Sequence, residues 1–509
     1  MKLQDAVRKL SLNDRPLIQD RVFYAIYGLA LAVSISIWFL AIHSPLWLDE
    51  TGSYWVIAKG FSQIWHRQGG FLFLAYSWIL WFSTKLIGTS EIALRVPSLL
   101  AMLGAVYLLY LAARELFERE IAIITVVIFC LHPIVVYASI DARPYAFAML
   151  ATNASILILL RLRRNNSIWL AALFGLTAAC ILWFQFIFGT IIPALALCFF
   201  VVKTGNHKTL WRQFGIALVA FALALLPTIP NLLYMFRASG TYVFEQAPKL
   251  LDLVLTLAPS PWRPGKLLLI FALATLVAAV RARFDKQFHF QGWQILLCAA
   301  LAGIPTLILY GVSVGTSIHC FVERHRLVAV PGIALCWALL FSSVRSRALR
   351  LLLCLALVAI TAYQCYSSPS SRQHGYTWKY ALEYAEKNAT PDNAPVLICS
   401  DFAEANSATM PLDSPKDNPI LAPLSYYKLS VPVVPLPRAL NDEAMRVGSQ
   451  FLQQAAQKHE RFLALAYKPS YKTLDWLAQN TAATHYVRNL GVFDEIKVLE
   501  FVPRSGLAP

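Results

Sequence analysis

The chain has 509 residues, 58% hydrophobic and only 14% charged, with a mean hydropathy of +0.56. Soluble domains run about 45–50% apolar and about 25% charged, so composition excludes an ordinary soluble protein and implies an integral membrane chain. The net charge of +16 does not point to nucleic acid, because the basic residues fall in short clusters between apolar runs and form no single patch.

In chain order, residues 1–21 read as a basic cytoplasmic tail, 22–366 as a membrane domain and 367–509 as an extracytoplasmic α/β domain. The run from Val22 to Ile42 is long enough to span about 30 Å of hydrocarbon, and no small-residue cleavage site follows it. It is expected to be an uncleaved anchor. Further apolar runs fall at 71–87, 96–113, 120–138, 146–162, 168–186, 187–202, 214–233, 265–282, 293–314, 327–343 and 348–366. Six basic clusters separate them: the tail, Arg114/Arg119, Arg161/Arg163/Arg164, Lys203/Lys208/Arg212, Arg281/Arg283/Lys286 and Arg345/Arg347/Arg350. The positive-inside rule puts all six in the cytoplasm only if one run before Arg114 does not cross. Phe71–Ile87 is the weakest, being short and carrying Ser77, Ser83, Thr84 and Lys85, and is read as a juxtamembrane or re-entrant helix in the outer interface. About eleven crossings remain.

That parity gathers Asp49/Glu50, Asp141-Ala-Arg143-Pro-Tyr145, the loop 234–266 and Glu323-Arg324-His325-Arg326 on the outer face. After Tyr363 the chain becomes polar. Trp378–Asn388 and Glu443–His459 are expected helices; Val396–Cys399, Phe462–Ala466 and Ile496–Val502 are expected strands. The nine cysteines show no CxxC or Cys/His spacing, so neither a zinc site nor a disulfide framework is indicated.

Paired carboxylates at a membrane surface either end a helix or perform a task. A carboxylate can deprotonate an acceptor hydroxyl, and guanidinium groups can hold a phosphate leaving group bidentately. Asp49, Glu50 and Asp141 are the candidate acids; Arg143, Arg324 and Arg326 are the candidate phosphate cations. Tyr145 is either an interface aromatic or a substrate contact, and Arg95 either snorkels from a helix end or joins the site. Lys85 reaches headgroups or a lipid phosphate.

Leu46-Trp47-Leu48-Asp49-Glu50 resembles the acidic first-loop motif of GT-C glycosyltransferases, in particular bacterial relatives of protein O-mannosyltransferases and of the lipid A aminoarabinose transferase. Four further segments are similar in the same order: Gly88 to Ser98 through Arg95 and Pro97, His132-Pro133 to Tyr145, Phe321 to Arg326 followed by Pro331, and Trp378-Lys-Tyr-Ala. The resemblance implies a GT-C fold and inverting transfer of a monosaccharide from a polyprenyl-phosphate donor to a glycan, lipid or protein acceptor. It implies Asp49 as base, Asp141 as second acid and Arg324 on the donor phosphate. It also implies an inner (plasma) membrane location with an extracytoplasmic C-terminal domain. Two departures stand out: Gln68-Gly69-Gly70-Phe71-Leu72 occupies the place of a His-Pro-Pro-Leu-Tyr segment, and His325 stands where relatives carry Tyr. No cofactor is expected to be required; a divalent cation held by Asp49, Glu50 and Asp141 is the alternative. The rival readings are a transporter or flippase for lipid-linked glycans and a non-catalytic scaffold. The first is disfavoured by the absence of repeated halves and of a charge path through the spans.

Overall fold

The computed structural model describes residues 20–68, 73–202, 207–237, 247–258, 291–367, 375–400, 419–436, 442–457 and 460–504. The expected span 265–282, the tail 1–19 and most of the loop 234–266 lie outside them. The chain forms two compact units, one of Met1–Ile42, Gly70–Tyr76 and Arg95–Arg372, the other of His43–Gly69, Ser77–Leu94 and Gln373–Pro509.

The first unit is helical. Seven described helices are long and apolar enough to cross a membrane. Those named below are α1 (Asp20–Ala41), α5 (Glu91–Leu116), α8 (Tyr145–Arg164), α11 (His207–Leu233), α13 (Gly292–Gly315), α14 (Glu323–Ser342) and α15 (Arg347–Ser367). The pair α6 (Arg119–Leu131) and α7 (Pro133–Ser139) passes the same test together but bends by 73° at His132. Pro133 causes the break, since it supplies no N–H and disfavours helical backbone at the residue before it. Two shorter apolar helices, α9 (Ile168–Phe184) and α10 (Phe186–Val202), follow α8. Ten of the expected crossings coincide with these helices. The chain is therefore a multi-pass membrane protein.

Close helix approaches hold the bundle. A Cβ on Gly332 of α14 would lie 2.3 Å from the backbone of Leu301 and Ala302 on α13, so only glycine admits this crossing. At the end of the bundle where α1, α6 and α15 begin, Glu120 is buried, accepts from Tyr27 Oη (2.8 Å) and Arg350 Nε (3.1 Å), and forms an ion pair with the Arg347 guanidinium at 2.8 Å. Part of a basic cluster that reads in sequence as a topology signal is thus also a structural tie. Breaking one partner of such a buried pair costs about 3–5 kcal/mol.

The second unit contains a five-stranded mixed sheet in the order β2-β1-β3-β5-β4. The strands are β1 (Val396–Cys399), β2 (Val433–Pro435), β3 (Phe462–Tyr467), β4 (His485–Phe493) and β5 (Ile496–Pro503). β1 runs parallel to β2 and β3, and β5 runs antiparallel to β3 and β4. The central strands β1 and β3 are apolar throughout, as strands covered on both faces must be. Among the covering helices are α16 (Lys379–Ala389), α17 (Ala422–Tyr426), α18 (Asp442–Gln457) and α19 (Tyr471–Thr481). β2, β4, α17 and α19 are not among the elements expected from sequence. β2 is too short to show a period, and β4 is a largely exposed edge strand without a clean apolar alternation.

The first-loop helices also belong to this unit: α2 (Leu48–Ile57), α3 (Phe61–Gln68) and most of α4 (Leu74–Ile87). With 14 residues, α4 extends about 21 Å, short of the hydrocarbon thickness. On α3 and α4, Phe61, Trp65, Trp78, Phe82 and Leu86 are exposed, the pattern of helices lying in an interface.

Candidate functional site

Each unit carries one cluster of the side chains singled out by sequence. In the second unit, Asp49 and Glu50 occupy the first turn of α2, where carboxylates suit the positive end of the helix dipole. Their surroundings differ. Glu50 is fully buried and its carboxylate accepts the Trp47 N–H at 3.2 Å, closing the backbone back onto the start of the helix. Asp49 is half-exposed on the adjoining face. Consecutive helical residues point about 100° apart, so the Glu50 carboxylate caps while that of Asp49 lies on a different, partly exposed face.

The acidic turn is built into the C-terminal part of the chain. Leu48 is buried in the same apolar cluster as Trp378, Val396, Ile398 and Leu463. Trp47 bridges Thr377 in antiparallel fashion, and Thr377 Oγ1 donates to Leu46 O at 3.1 Å. Leu46 N–H donates to Tyr427 Oη at 2.7 Å. Burial raises the Tyr427 hydroxyl well above the usual phenolic range, so it remains a protonated anchor. Gly375 at φ +79 lets the chain pass Trp47, where a Cβ would meet the Trp47 side chain at 3.1 Å. Rings extend the wall: Tyr376 stacks on Tyr467 at 3.9 Å and meets Trp47 edge-on, and Tyr54 of α2 meets Tyr426. These partners lie more than 300 residues from the motif, and no sequence signal joins them to it.

In the first unit, α7 leads into the turn Ile140–Pro144 that precedes α8. Asp141 is completely buried there, Arg143 is half-buried, and Arg143 N–H donates to Asp141 O at 2.7 Å. Ser98 of α5 holds the turn by donating to Arg143 O at 3.2 Å. The first turn of α14, Glu323–Arg326, packs against α7. Arg324 is half-buried. Arg326 donates to Thr256 Oγ1 at 2.8 Å, pairs with Glu323 at 3.6 Å and lies 5.2 Å from the Phe321 ring centre. His325 is buried with its Nδ1 2.9 Å from Cys320 O. The structure thus brings Asp141, Arg143, Arg324 and Arg326 to one end of one bundle, although almost 180 residues separate the two segments.

The remaining candidates fall elsewhere. Arg95 is fully buried and donates to Ile42 O at 2.8 Å, tying α5 to the end of α1 rather than snorkelling. Tyr145 is buried at the start of α8 with its ring 6.2 Å from Phe188, in the core and not at an interface. Lys85 is exposed on α4 with its amine over the Trp81 ring at 5.1 Å. Among the described residues no group of three or more His, Cys, Asp or Glu side chains is gathered that could hold a metal ion.

With this geometry in place, the chain can be compared with known proteins. Residues 74–234 match the family described as dolichyl-phosphate-mannose-protein mannosyltransferase. The crystal structure of ArnT from Cupriavidus metallidurans bound to undecaprenyl phosphate is similar over 95% of this chain and 98% of that one, with 12% identity and a TM-score of 0.51. An archaeal oligosaccharyltransferase from Archaeoglobus fulgidus, solved with an inhibitory peptide and a dolichol-phosphate, is similar over 96% of this chain and 75% of that one, with 13% identity and a TM-score of 0.47. No curated protein sequence matches. The comparisons bear out the GT-C resemblance read from the motifs: the fold, a membrane helical bundle with a small C-terminal sheet domain, is shared with ArnT.

Proposed function

We propose that this chain is a glycosyltransferase that moves a monosaccharide, with inversion, from a polyprenyl-phosphate donor to an acceptor hydroxyl at the extracytoplasmic face of the inner membrane. The acceptor is a glycan, lipid or protein. The observation that carries the reading is the packing of the Glu323–Arg326 turn, with Arg324 and Arg326, against α7, the helix that leads into buried Asp141 and Arg143. Cations that snorkel or mark topology do not need to converge from two distant segments; a phosphate recognised bidentately does. The match to a lipid-phosphate-sugar transferase family and the fold shared with ArnT support the same chemistry.

In this reading the acceptor oxygen attacks C1 of the sugar while Asp49 takes its proton. The C1–O bond to phosphate breaks, and the lipid phosphate departs with the electron pair, its charge taken up by Arg324 with Arg143 or Arg326. Asp141 is the second acidic residue of the site, orienting the guanidinium groups. Guanidinium does the work a cation would otherwise do, so we propose transfer without a metal. Lys85, on the exposed edge of α4, meets headgroups; Arg95 and Tyr145 support the site from the core.

The test is transfer by purified protein from a panel of polyprenyl-phosphate sugars, alongside Asp49→Asn and Arg324→Ala. Loss of the base is expected to lower kcat by about 10²–10⁴ with expression and melting temperature unchanged. Arg324→Ala is expected to raise the donor KM as well. Normal turnover by Asp49→Asn would remove Asp49 from the reaction.

A further inference from the structure

His132 stands at the break between α6 and α7, where the two helices meet at 73°. Its side chain is 1% exposed, and neither ring nitrogen has a hydrogen-bond partner among the described residues. A neutral imidazole carries one N–H and one acceptor nitrogen, and leaving both unmet in a dry interior is unfavourable. Local structure gives no reason for histidine here. It occupies the N-cap position of α7 but makes no side-chain cap bond, which Ser, Asn or Asp would make.

The surroundings supply a reason. The first turn of α14 packs against α7, and Arg326 on that turn is close enough for its charge to act on the imidazole. The segment beyond α7 carries Asp141 and Arg143. A dry corner with guanidinium groups and an unsatisfied neutral donor matches an oxyanion better than a sugar hydroxyl. The guanidinium groups balance the anion's charge, and the imidazole adds a directed N–H without adding charge.

We propose that His132 donates a ring N–H to a phosphate oxygen of the lipid-linked donor and retains that bond to the lipid phosphate product. This rests on the lipid-phosphate reading above and adds a binding residue to it. Because an unmet imidazole burdens the empty protein, the proposal also separates stability from binding. Replacing His132 by Leu should stabilise the ligand-free chain while weakening its hold on phosphate.

The experiment measures binding of polyprenyl phosphate, of the matching neutral polyprenol and of phosphatidylglycerol to the full chain in detergent, for wild type, His132→Leu and His132→Gln, with melting temperatures in parallel. Wild type is expected to prefer polyprenyl phosphate over the other two. His132→Leu is expected to bind polyprenyl phosphate at least about tenfold more weakly, about 1.4 kcal/mol, with polyprenol binding unchanged and the ligand-free melting temperature equal or higher. His132→Gln, which keeps an N–H, should recover part of the affinity. Equal phosphate binding by wild type and His132→Leu, or equal losses for phosphate and polyprenol, would overturn the assignment and leave a packing role. If His132→Leu does not fold, the Gln variant decides: a partial loss confined to polyprenyl phosphate upholds the assignment, and binding equal to wild type or a loss shared equally with polyprenol overturns it. Phosphatidylglycerol bound as tightly as polyprenyl phosphate would reassign the site to bulk headgroups. Failure of the wild type to tell polyprenyl phosphate from polyprenol would instead sink the lipid-phosphate reading itself.

Discussion

Asp49 and Glu50 are neighbours in sequence with opposite surroundings, and the division of labour between them follows from helix geometry. Glu50 sits where its carboxylate reaches back to the Trp47 N–H, and it is wholly buried. Replacing it by Ala would leave that donor unmet at the start of α2 and is expected to cost about 1 kcal/mol, the usual worth of a helix N-terminal cap. The measurable result is a lowered melting temperature, with transfer falling because the turn carrying Asp49 loosens; Glu50→Gln, which still offers an acceptor oxygen, should retain most of both. An Ala variant as stable as wild type would show the bond to be unimportant. The sequence alone already separates the two acids, since adjacent helical positions do not share a face. It does not say which one caps, because that depends on Trp47 standing in extended backbone as the N-cap residue. His132 was equally visible as the residue before a proline in a span, yet only its burial without a partner distinguishes it from any other helix breaker.

Elements with strong periodicity or strong length signals were legible, and those defined by pairing partners were not. The expected strands Val396–Cys399, 462–466 and 496–502 correspond to β1, β3 and β5, which are largely buried and lie inside the sheet. Edge strand β4 carries exposed Tyr486, Arg488 and Val492, and its identity comes from its ladder with β5. The β4–β5 turn is Asp494-Glu495, both at positive φ (49° and 70°), as a two-residue hairpin of primed type requires. Asp494 also accepts the Thr377 N–H at 2.7 Å, so this turn helps hold the segment that anchors Trp47. Burial raises the Asp494 carboxyl above its ordinary range, with the Thr377 hydrogen bond acting the other way. The folded state therefore binds this proton more tightly than the unfolded chain does. Its stabilising contribution is full below about pH 3.9 and is lost as pH rises through the raised folded value. Asp494→Asn keeps the acceptor and tolerates the left-handed backbone, but does not ionise. The melting temperature of the Asn variant relative to wild type is expected to climb as pH increases across that window. Parallel melting curves from pH 4 to 8 would contradict the burial effect.

At the scale of the whole molecule, two independent arguments bear on whether α4 crosses the membrane. The first is statistical: six basic clusters fall on one side only if α4 does not cross. The second is geometric and lies within the helical unit. Tyr27, near the start of α1, donates to Glu120 at the start of α6 at 2.8 Å, and Arg350 near the start of α15 joins them. The starts of α1 and α6 therefore share a side, which demands an even number of reversals between them, namely one full crossing by α5 after α1. A second crossing by α4 would put Glu120 at the opposite face from Tyr27, some 30 Å of hydrocarbon away. The 14 residues of α4 and its exposed aromatic side chains agree with a helix lying along the interface. We therefore expect the loops carrying Asn165 and Ser346 to face the cytoplasm and the sheet domain to face outward. Cysteines introduced at Asn165, Ser346, Lys428 and Glu495 can be probed in intact cells with a membrane-impermeant maleimide, read above the background of the native thiols. Labelling is expected at 428 and 495, and at 165 and 346 only after the membrane is permeabilised. Labelling of 346 in intact cells would invert the arrangement, placing the sheet domain and Asp49 in the cytoplasm, where an acceptor outside the membrane could not reach them.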